Sequence, residues 1–197
     1  MNHPGGNVTG YTDMGSEIVP KDVGLLHELL PRATRFATLV TPTYAYFDRV
    51  TADAKSAAAV FGGEIEIVLV DASHDIEAAF VWLVQQRTEA FFVTDDSFLF
   101  NRQTQILALA ARYAIPGIYF SRDWALAGGL MSYGPPASEQ GRQAGIYTGR
   151  ILKGEKASEI PVGRATRFDL VINLETARAI GVEVPPTVLS LADEVIE

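Results

Sequence analysis

The chain has 197 residues, 48% of them hydrophobic, and a formal net charge of -8. That much apolar material supports a sizeable core and excludes an intrinsically disordered chain. Because cysteine is absent and Lys and Arg are not clustered, disulfides and thiolate metal sites are excluded, and nucleic acid is not expected as a partner.

Up to residue 120, apolar runs of strand length alternate with helical patterns. We predict strands at 35–40, 64–70, 90–94 and 117–120, and helices at 47–61, 76–86 and 102–113. This alternation with short connections predicts an α/β fold, in which helices flank both faces of a Rossmann-like parallel sheet.

The pattern changes after residue 120. The sequence predicts a short helix at 124–129, a strand at 130–133, a helix at 138–152 capped by Ser138, a strand at 167–173 and helices at 174–180 and 187–196. The strand at 130–133 and the helix after it cannot bury each other's apolar surface. We therefore expect that their sheet partners are missing from this chain.

Polar and aromatic side chains follow the predicted strands, at the sheet edge where α/β proteins bind ligands. A helix N-terminus attracts a carboxylate, an aspartate attracts an ammonium group, and aromatic rings cover apolar groups. Together these groups suit a zwitterion such as an amino acid. The candidate residues are Thr41, Thr43, Tyr44, Asp95, Asp96, Asp123 and Trp124.

The same residues also permit structural interpretations. Asp95 and Asp96 are typical helix N-caps, and the aromatic residues are typical of packed rims. As a pair, the two aspartates suggest a metal site or an acid–base dyad, but a solvated loop is favoured because no other acidic or His ligand is near in sequence. No cofactor or metal is predicted, since His3, His27 and His74 lie far apart.

Several segments resemble a known family. They are PGGNVTG at 4–10, ALAARYAIPGIYFSRDWALAGGLMSYGPP at 108–136, GRQAGIYTGRILKGEKASEIPV at 141–162 and TRFDLVINLETARAIGVEVPPTVLSLADEVIE at 166–197. The chain is similar to the substrate-binding proteins of ABC-type transporters, in the branch with tryptophan- and tyrosine-type members. The resemblance implies a type I periplasmic-binding-protein fold, in which two Rossmann-like lobes joined by three crossover strands close on a ligand.

In this family, the segment that resembles PGGNVTG ends the first lobe and crosses into the second. The resemblance therefore implies a chain that lacks an export signal and most of lobe one. Lobe two is expected, complete, at 13–120 and 166–197. Crossover segments and a remnant of lobe one are expected at 1–12 and 121–165.

The resemblance also assigns site residues. The stretch from Thr41 to Tyr44 matches the loop after lobe two's first strand, Asp95 and Asp96 match an Asp-bearing loop, and residues 122–124 match an Arg-Glu-Phe-like stretch. Tyr133 matches a tyrosine at a strand end in lobe one. These matches imply solute binding without catalysis, with a membrane permease as partner. The alternative is a cytoplasmic α/β enzyme, which needs a dyad such as Asp95 with Asp123, or a ligand-sensing regulatory domain.

Location and assembly follow from the same comparison. Family members are periplasmic or lipid-anchored outside the cytoplasm. This chain shows no apolar run near the ~20 residues of a membrane span and no export signal, so as written it is expected in the cytoplasm. Exposed apolar surface on the lobe-one remnant is expected to drive self-association.

Overall fold

The computed structural model describes residues 4–71 and 73–197, with the backbone alone at 73–75. Its strands are β1 (Tyr11–Thr12), β2 (Arg35–Val40), β3 (Glu64–Leu69), β4 (Ala90–Val93), β5 (Gly117–Tyr119), β6 (Met131–Gly134), β7 (Gly163–Arg164), β8 (Asp169–Asn173) and β9 (Glu194–Ile196). Its helices are α1 (Val19–Leu29), α2 (Phe47–Ala59), α3 (Ser73–Gln85), α4 (Ser97–Phe100), α5 (Gln103–Tyr113), α6 (Arg122–Leu126), α7 (Ala137–Leu152), α8 (Leu174–Ala179) and α9 (Pro186–Leu189).

Within the described residues, seven strands form one sheet in the order β3-β2-β4-β5-β6-β8-β9. Neighbouring strands are parallel except β6 and β8, which are antiparallel. A separate parallel ribbon pairs β1 with β7. The predicted α/β fold with a mainly parallel sheet is therefore confirmed.

The sheet is buried on both faces because its central strands are mainly apolar and β4 is apolar at every position. In β4, Phe92 packs into the core formed with α1, α2, α8 and α9, while Phe91 packs into the core formed with α3, α5 and α6. In β2, Phe36 packs into the first of these two cores and Leu39 packs into the second. This continuous apolar run is typical of a parallel strand covered by helices on both sides.

Two local predictions are wrong. The region 187–196, predicted as one helix, forms the short helix α9 and then β9, which pairs with β8. Backbone hydrogen bonding to the sheet edge, which the side-chain pattern does not encode, decides this segment. Ser138 does not cap α7, because the helix begins at Ala137 and Pro136 is its N-cap residue.

The predicted strand at 130–133 was expected to lack sheet partners, and that expectation is wrong. It forms β6, which lies between β5 and β8 in the main sheet. Leu130 and Met131 are fully buried in the core on the α1 face. Helix α6, which precedes this strand, also packs against the protein interior, since its Ala125 is fully buried.

Helix α7 differs from the others because every one of its residues is at least partly exposed. Ile146 and Ile151 are each 42% exposed and Leu152 is 82% exposed. The helix contacts the β1–β7 ribbon through Tyr147, whose hydroxyl lies 2.7 Å from the position that a Cβ on Gly163 would occupy. No helix in the described ranges, α7 included, is long and apolar enough to cross a bilayer.

A buried carboxyl group on α1 predicts a pH-dependent stability. Asp22 is 6% exposed, its Oδ1 has no hydrogen-bond partner in the described part of the chain, and burial raises its pKa well above the usual range. Between the ordinary pKa and the raised one, the folded state holds a proton that the unfolded state has released. Stability due to Asp22 is therefore present in acid and falls as pH rises, by up to about 1.4 kcal/mol per pH unit.

We expect Asp22→Asn to remove this dependence. Urea unfolding at pH 5 and pH 8 should show the variant gaining stability over the parent protein as pH rises. Asp48→Asn, at an exposed position on α2, is the matched control and should track the parent protein. A difference between Asp22→Asn and the parent protein that stays constant with pH would contradict the burial argument.

Candidate functional site

A cavity of about 450 Å³ lies beyond the carboxyl ends of β2 and β4. Residues 12–17, which run from the end of β1 towards α1, form one wall. The other walls are formed by Tyr44 and Tyr46, Arg49, Asp95, Val162 and Arg164. The cavity therefore lies between the main sheet and the β1–β7 ribbon, at the edge at which parallel α/β sheets bind ligands.

Two acidic residues meet inside this cavity. Asp13 accepts a hydrogen bond from the backbone N–H of Gly15 through Oδ1, at 3.2 Å. Asp95 lies against the same glycine, since a Cβ on Gly15 would be 3.0 Å from Asp95 Oδ2. The pKa of Asp95 is raised to about 7, first by burial, then by the charge of Asp13 and a hydrogen bond with it, and last by the charge of Asp96.

Asp96 has a different role from its neighbour. Its Oδ1 accepts hydrogen bonds from the backbone N–H groups of Phe98 at 2.7 Å and Leu99 at 3.3 Å, which caps α4. Its Oδ2 accepts a hydrogen bond from the buried Thr41 hydroxyl at 2.9 Å. Asp96 and Thr41 thus hold the loop that presents Asp95, and neither lines the cavity.

Aromatic and cationic groups complete the lining. The Tyr44 and Tyr46 rings meet edge to face, with centroids 5.9 Å apart. Burial, followed by the charges of Asp95 and Asp13, raises the pKa of the Tyr44 hydroxyl, so it keeps its proton and can donate. Arg49 forms an ion pair with Glu17 at 3.5 Å, and Arg164 is exposed at the same cavity.

The family model described as ABC transporter substrate binding protein matches residues 1–196. The chain belongs to that family.

Individual relatives agree with this result. The Tyrosine-binding protein of Clostridioides difficile is 23% identical over 184 residues, which cover 93% of this chain and 52% of that protein. A conserved domain protein of Vibrio cholerae has 24% identity and a TM-score of 0.88, with 98% of this chain and 64% of that chain covered. The ABC domain in complex with L-Trp from Streptococcus pneumoniae has 24% identity and a TM-score of 0.87, with 99% and 67% covered.

These comparisons fix the fold and the relative length. The two solved structures share the fold of this chain, which confirms the prediction of a periplasmic-binding-protein-like architecture. The chain spans about half the length of the curated relative that it matches.

Within the family's fold, the structure brings together only part of the predicted site. Tyr44 and Asp95 line the cavity, with Thr41 and Asp96 directly behind them. Thr43 is exposed and does not line it.

The other predicted residues lie elsewhere. Asp123 is exposed in the first turn of α6 and does not share the cavity with Asp95, so these two residues do not form the dyad given as an example for the enzyme alternative. Tyr133 stacks on Phe168, with ring centroids 5.7 Å apart, and packs against the core. Among the side chains that the structure describes, at 4–71 and 76–197, no group of three or more His, Asp or Glu is placed to hold a metal ion.

Trp124 requires a correction. Its side chain is fully buried and stacks on Tyr119, with ring centroids 4.7 Å apart. Because α6 turns this residue towards the sheet, it presents no surface to the cavity. The predicted ligand contact is therefore replaced by a packing role.

Sequence reasoning missed the wall of the cavity that residues 12–17 form. Asp13 and Gly15 precede the first strand of the main sheet, so a search limited to strand ends passes over them. The segment did carry a signal, because Asp13, Gly15 and Ser16 form a short polar turn before α1, as expected at a helix start. Met14, within this turn, has a left-handed backbone with φ of 66°.

Proposed function

We propose that this chain supplies one side of the solute-binding cleft of an ABC-type importer and binds a small organic solute such as an amino acid. The observation that carries the proposal is the cavity formed by Tyr44, Asp95 and Asp13, in a chain of the substrate-binding family. It lies at the sheet edge where the fold binds ligands.

The lining suits the two ends of an amino acid and an apolar side chain. The carboxyl groups of Asp13 and Asp95 are acceptors for an ammonium group. Tyr44 and Tyr46 offer ring faces to an aromatic or aliphatic side chain, and Arg164 offers a positive charge to a carboxylate. The named ligands of two relatives, tyrosine and L-tryptophan, fit this arrangement.

We also propose a division of the chain into two parts. The main sheet and its helices would form lobe two, extended to include β6. Helix α7 would belong to lobe one, because its residues are exposed and its neighbours are the crossover strands. Closing the cleft then requires lobe-one surface opposite Asp95. Self-association through the exposed face of α7 stays a prediction.

The proposed role is binding without a covalent change to the solute. A substrate-binding protein delivers its ligand to a permease, so the expected partner is a membrane permease and the expected location is outside the cytoplasm, in the periplasm or attached through a lipid. The family describes a binding protein, which supports this role over that of an enzyme.

The test is thermal unfolding of the chain at pH 8 with a panel of L-tryptophan, L-tyrosine, other amino acids, nucleosides and small aromatics. A ligand at ~100-fold its dissociation constant stabilises the folded state by about 2.7 kcal/mol. We expect Asp95→Asn to weaken binding by roughly 10- to 100-fold, since a hydrogen bond to a charged group contributes about 1.5–3 kcal/mol. The stability of the unliganded variant should not fall, because a repulsion with Asp13 is relieved.

Asp123→Asn is the matched control, because it changes an exposed aspartate outside the cavity. It should keep the ligand-induced shift of the parent protein. Equal loss of the shift in both variants would contradict the placement of the site. Conversion of any panel compound by the parent protein, abolished in Asp95→Asn, would replace the binding role with an enzymatic one.

A further inference from the structure

The carboxyl groups of Asp13 and Asp95 lie in the same cavity and beside the same residue. Both side chains converge on Gly15, as its hydrogen bond to Asp13 at 3.2 Å and its close approach to Asp95 Oδ2 show. Two carboxyl groups beside one residue of a half-buried cavity repel each other when both are ionised, which favours a proton on Asp95. Burial and the neighbouring Asp13 accordingly raise the pKa of Asp95 to about 7.

The groups around the pair favour retention of that proton. Asp96 adds a third carboxyl group, from the loop that holds Asp95, and Glu17 adds a fourth, from the wall that holds Asp13. Arg49 is engaged by Glu17 and by Asp53, each at 3.5 Å. Arg164 and the hydroxyls of Tyr44 and Tyr46 complete the titratable and charged lining.

We propose that the ammonium group of a solute takes the place of the proton that Asp95 holds beside Asp13, so that binding releases that proton to the solvent. The inference rests on the proposed function of the cavity as the solute site, and it narrows the solute class to compounds that turn an ammonium group towards this lobe. An ammonium group carries one positive charge and several N–H donors, so it can neutralise the charge of the two ionised carboxyl groups and donate hydrogen bonds to both.

The exchange predicts a specific pH dependence of affinity. Below pH about 7, where Asp95 holds its proton, the ligand must displace that proton in order to bind. Affinity for an amine should therefore weaken by about tenfold for each pH unit below 7, and level off above it. A ligand of the same shape without an ammonium group should lack this dependence.

The proton on Asp95 can be measured without any ligand. Carbon-13 NMR of the aspartate carboxyl groups should show a group titrating near pH 7 that disappears in Asp95→Asn and remains in Asp22→Asn, which removes the other aspartate with a raised pKa. Asp13→Asn should move this titration to lower pH, because the asparagine oxygen still accepts from Gly15 but the like charge is removed. Asp123→Asn should leave it in place. Titration of Asp95 near pH 4 in the parent protein would overturn the proposal.

Ligand exchange is measured by calorimetry with L-tryptophan, tryptamine and indole-3-propionate at pH 5.5 and pH 8. We expect both amines to bind roughly 30-fold more weakly at pH 5.5 than at pH 8, because affinity falls by about tenfold per pH unit between pH 7 and pH 5.5. Indole-3-propionate, which has no amine, should show no such loss. At pH 6, buffers with different heats of ionisation should report protons released.

Two further outcomes separate the exchange from the binding role. Equal affinity of the amines at both pH values would overturn the exchange and leave the solute site intact. Absence of binding by the whole panel at both pH values would overturn the proposed function, and the exchange with it.

Discussion

Replacement of Trp124 by alanine should lower the free energy of unfolding by about 3–5 kcal/mol, as expected for a fully buried aromatic residue. The indole stacks on Tyr119 at an interplanar angle of 11° and meets Phe120 with centroids 5.7 Å apart. Removing it leaves a cavity between α6 and the sheet, which neighbouring side chains can fill only in part. Urea unfolding followed by circular dichroism measures the loss.

Trp124→Phe is the matched control. The indole Nε1 is buried without a hydrogen-bond partner in the described residues, so phenylalanine removes an unsatisfied donor while keeping an aromatic ring. We expect this variant to lose much less stability than Trp124→Ala and to keep any ligand-induced shift. Nearly unchanged stability in Trp124→Ala, together with a lost ligand response, would support the ligand contact that the sequence predicted.

Trp124 also shows the limits of the rule that ligands bind beyond the carboxyl ends of parallel strands. The rule correctly placed the residue shortly after the carboxyl end of β5, the end of a parallel strand at which this fold class binds ligands. It did not give the rotation of α6, which directs Trp124 inwards and Asp123 outwards. The sequence of a helix this short shows too little periodicity to predict which side chains face the core. Packing against Tyr119 therefore determines the orientation of Trp124.

The main sheet was more predictable because its signal is local. Residues 35–40 form β2 with the predicted bounds, and the next strands agree closely, since short segments rich in apolar and β-branched residues favour burial in a sheet. The ends of the sheet were not predictable in this way. Strand β9 depends on pairing with β8 and on the bidentate ion pair between Arg122 and Glu194, at 2.6 Å, which joins segments distant in sequence.

The site shows the same limit. Asp95 was predictable because it follows a buried strand, and its role depends on a partner, Asp13, that a different segment supplies. The β1–β7 ribbon fixes where that segment runs, through backbone bonds such as Gly163 N–H to the Gly10 carbonyl at 2.9 Å. A pair of carboxyl groups formed across two segments leaves no spacing pattern in the sequence.

Gly134 gives the second large expected effect. A Cβ at this position would lie 1.9 Å from the backbone carbonyl oxygen of Phe120, far inside van der Waals contact. Gly134→Ala must therefore push the end of β6 away from the segment after β5, which breaks packing on both sides of the sheet. We expect a loss of about 1–3 kcal/mol or more in the free energy of unfolding, measured by urea titration.

Gly145→Ala separates this clash from a general effect of adding a methyl group. Gly145 is exposed in α7, and a Cβ there would meet no atom within 4 Å in the described structure, apart from its own helix backbone. Alanine in a helix is favoured over glycine by about 1 kcal/mol, so this variant should be as stable as the parent protein or more so. If Gly134→Ala were equally well tolerated, β6 would not approach Phe120 this closely, and its place between β5 and β8 would need revision.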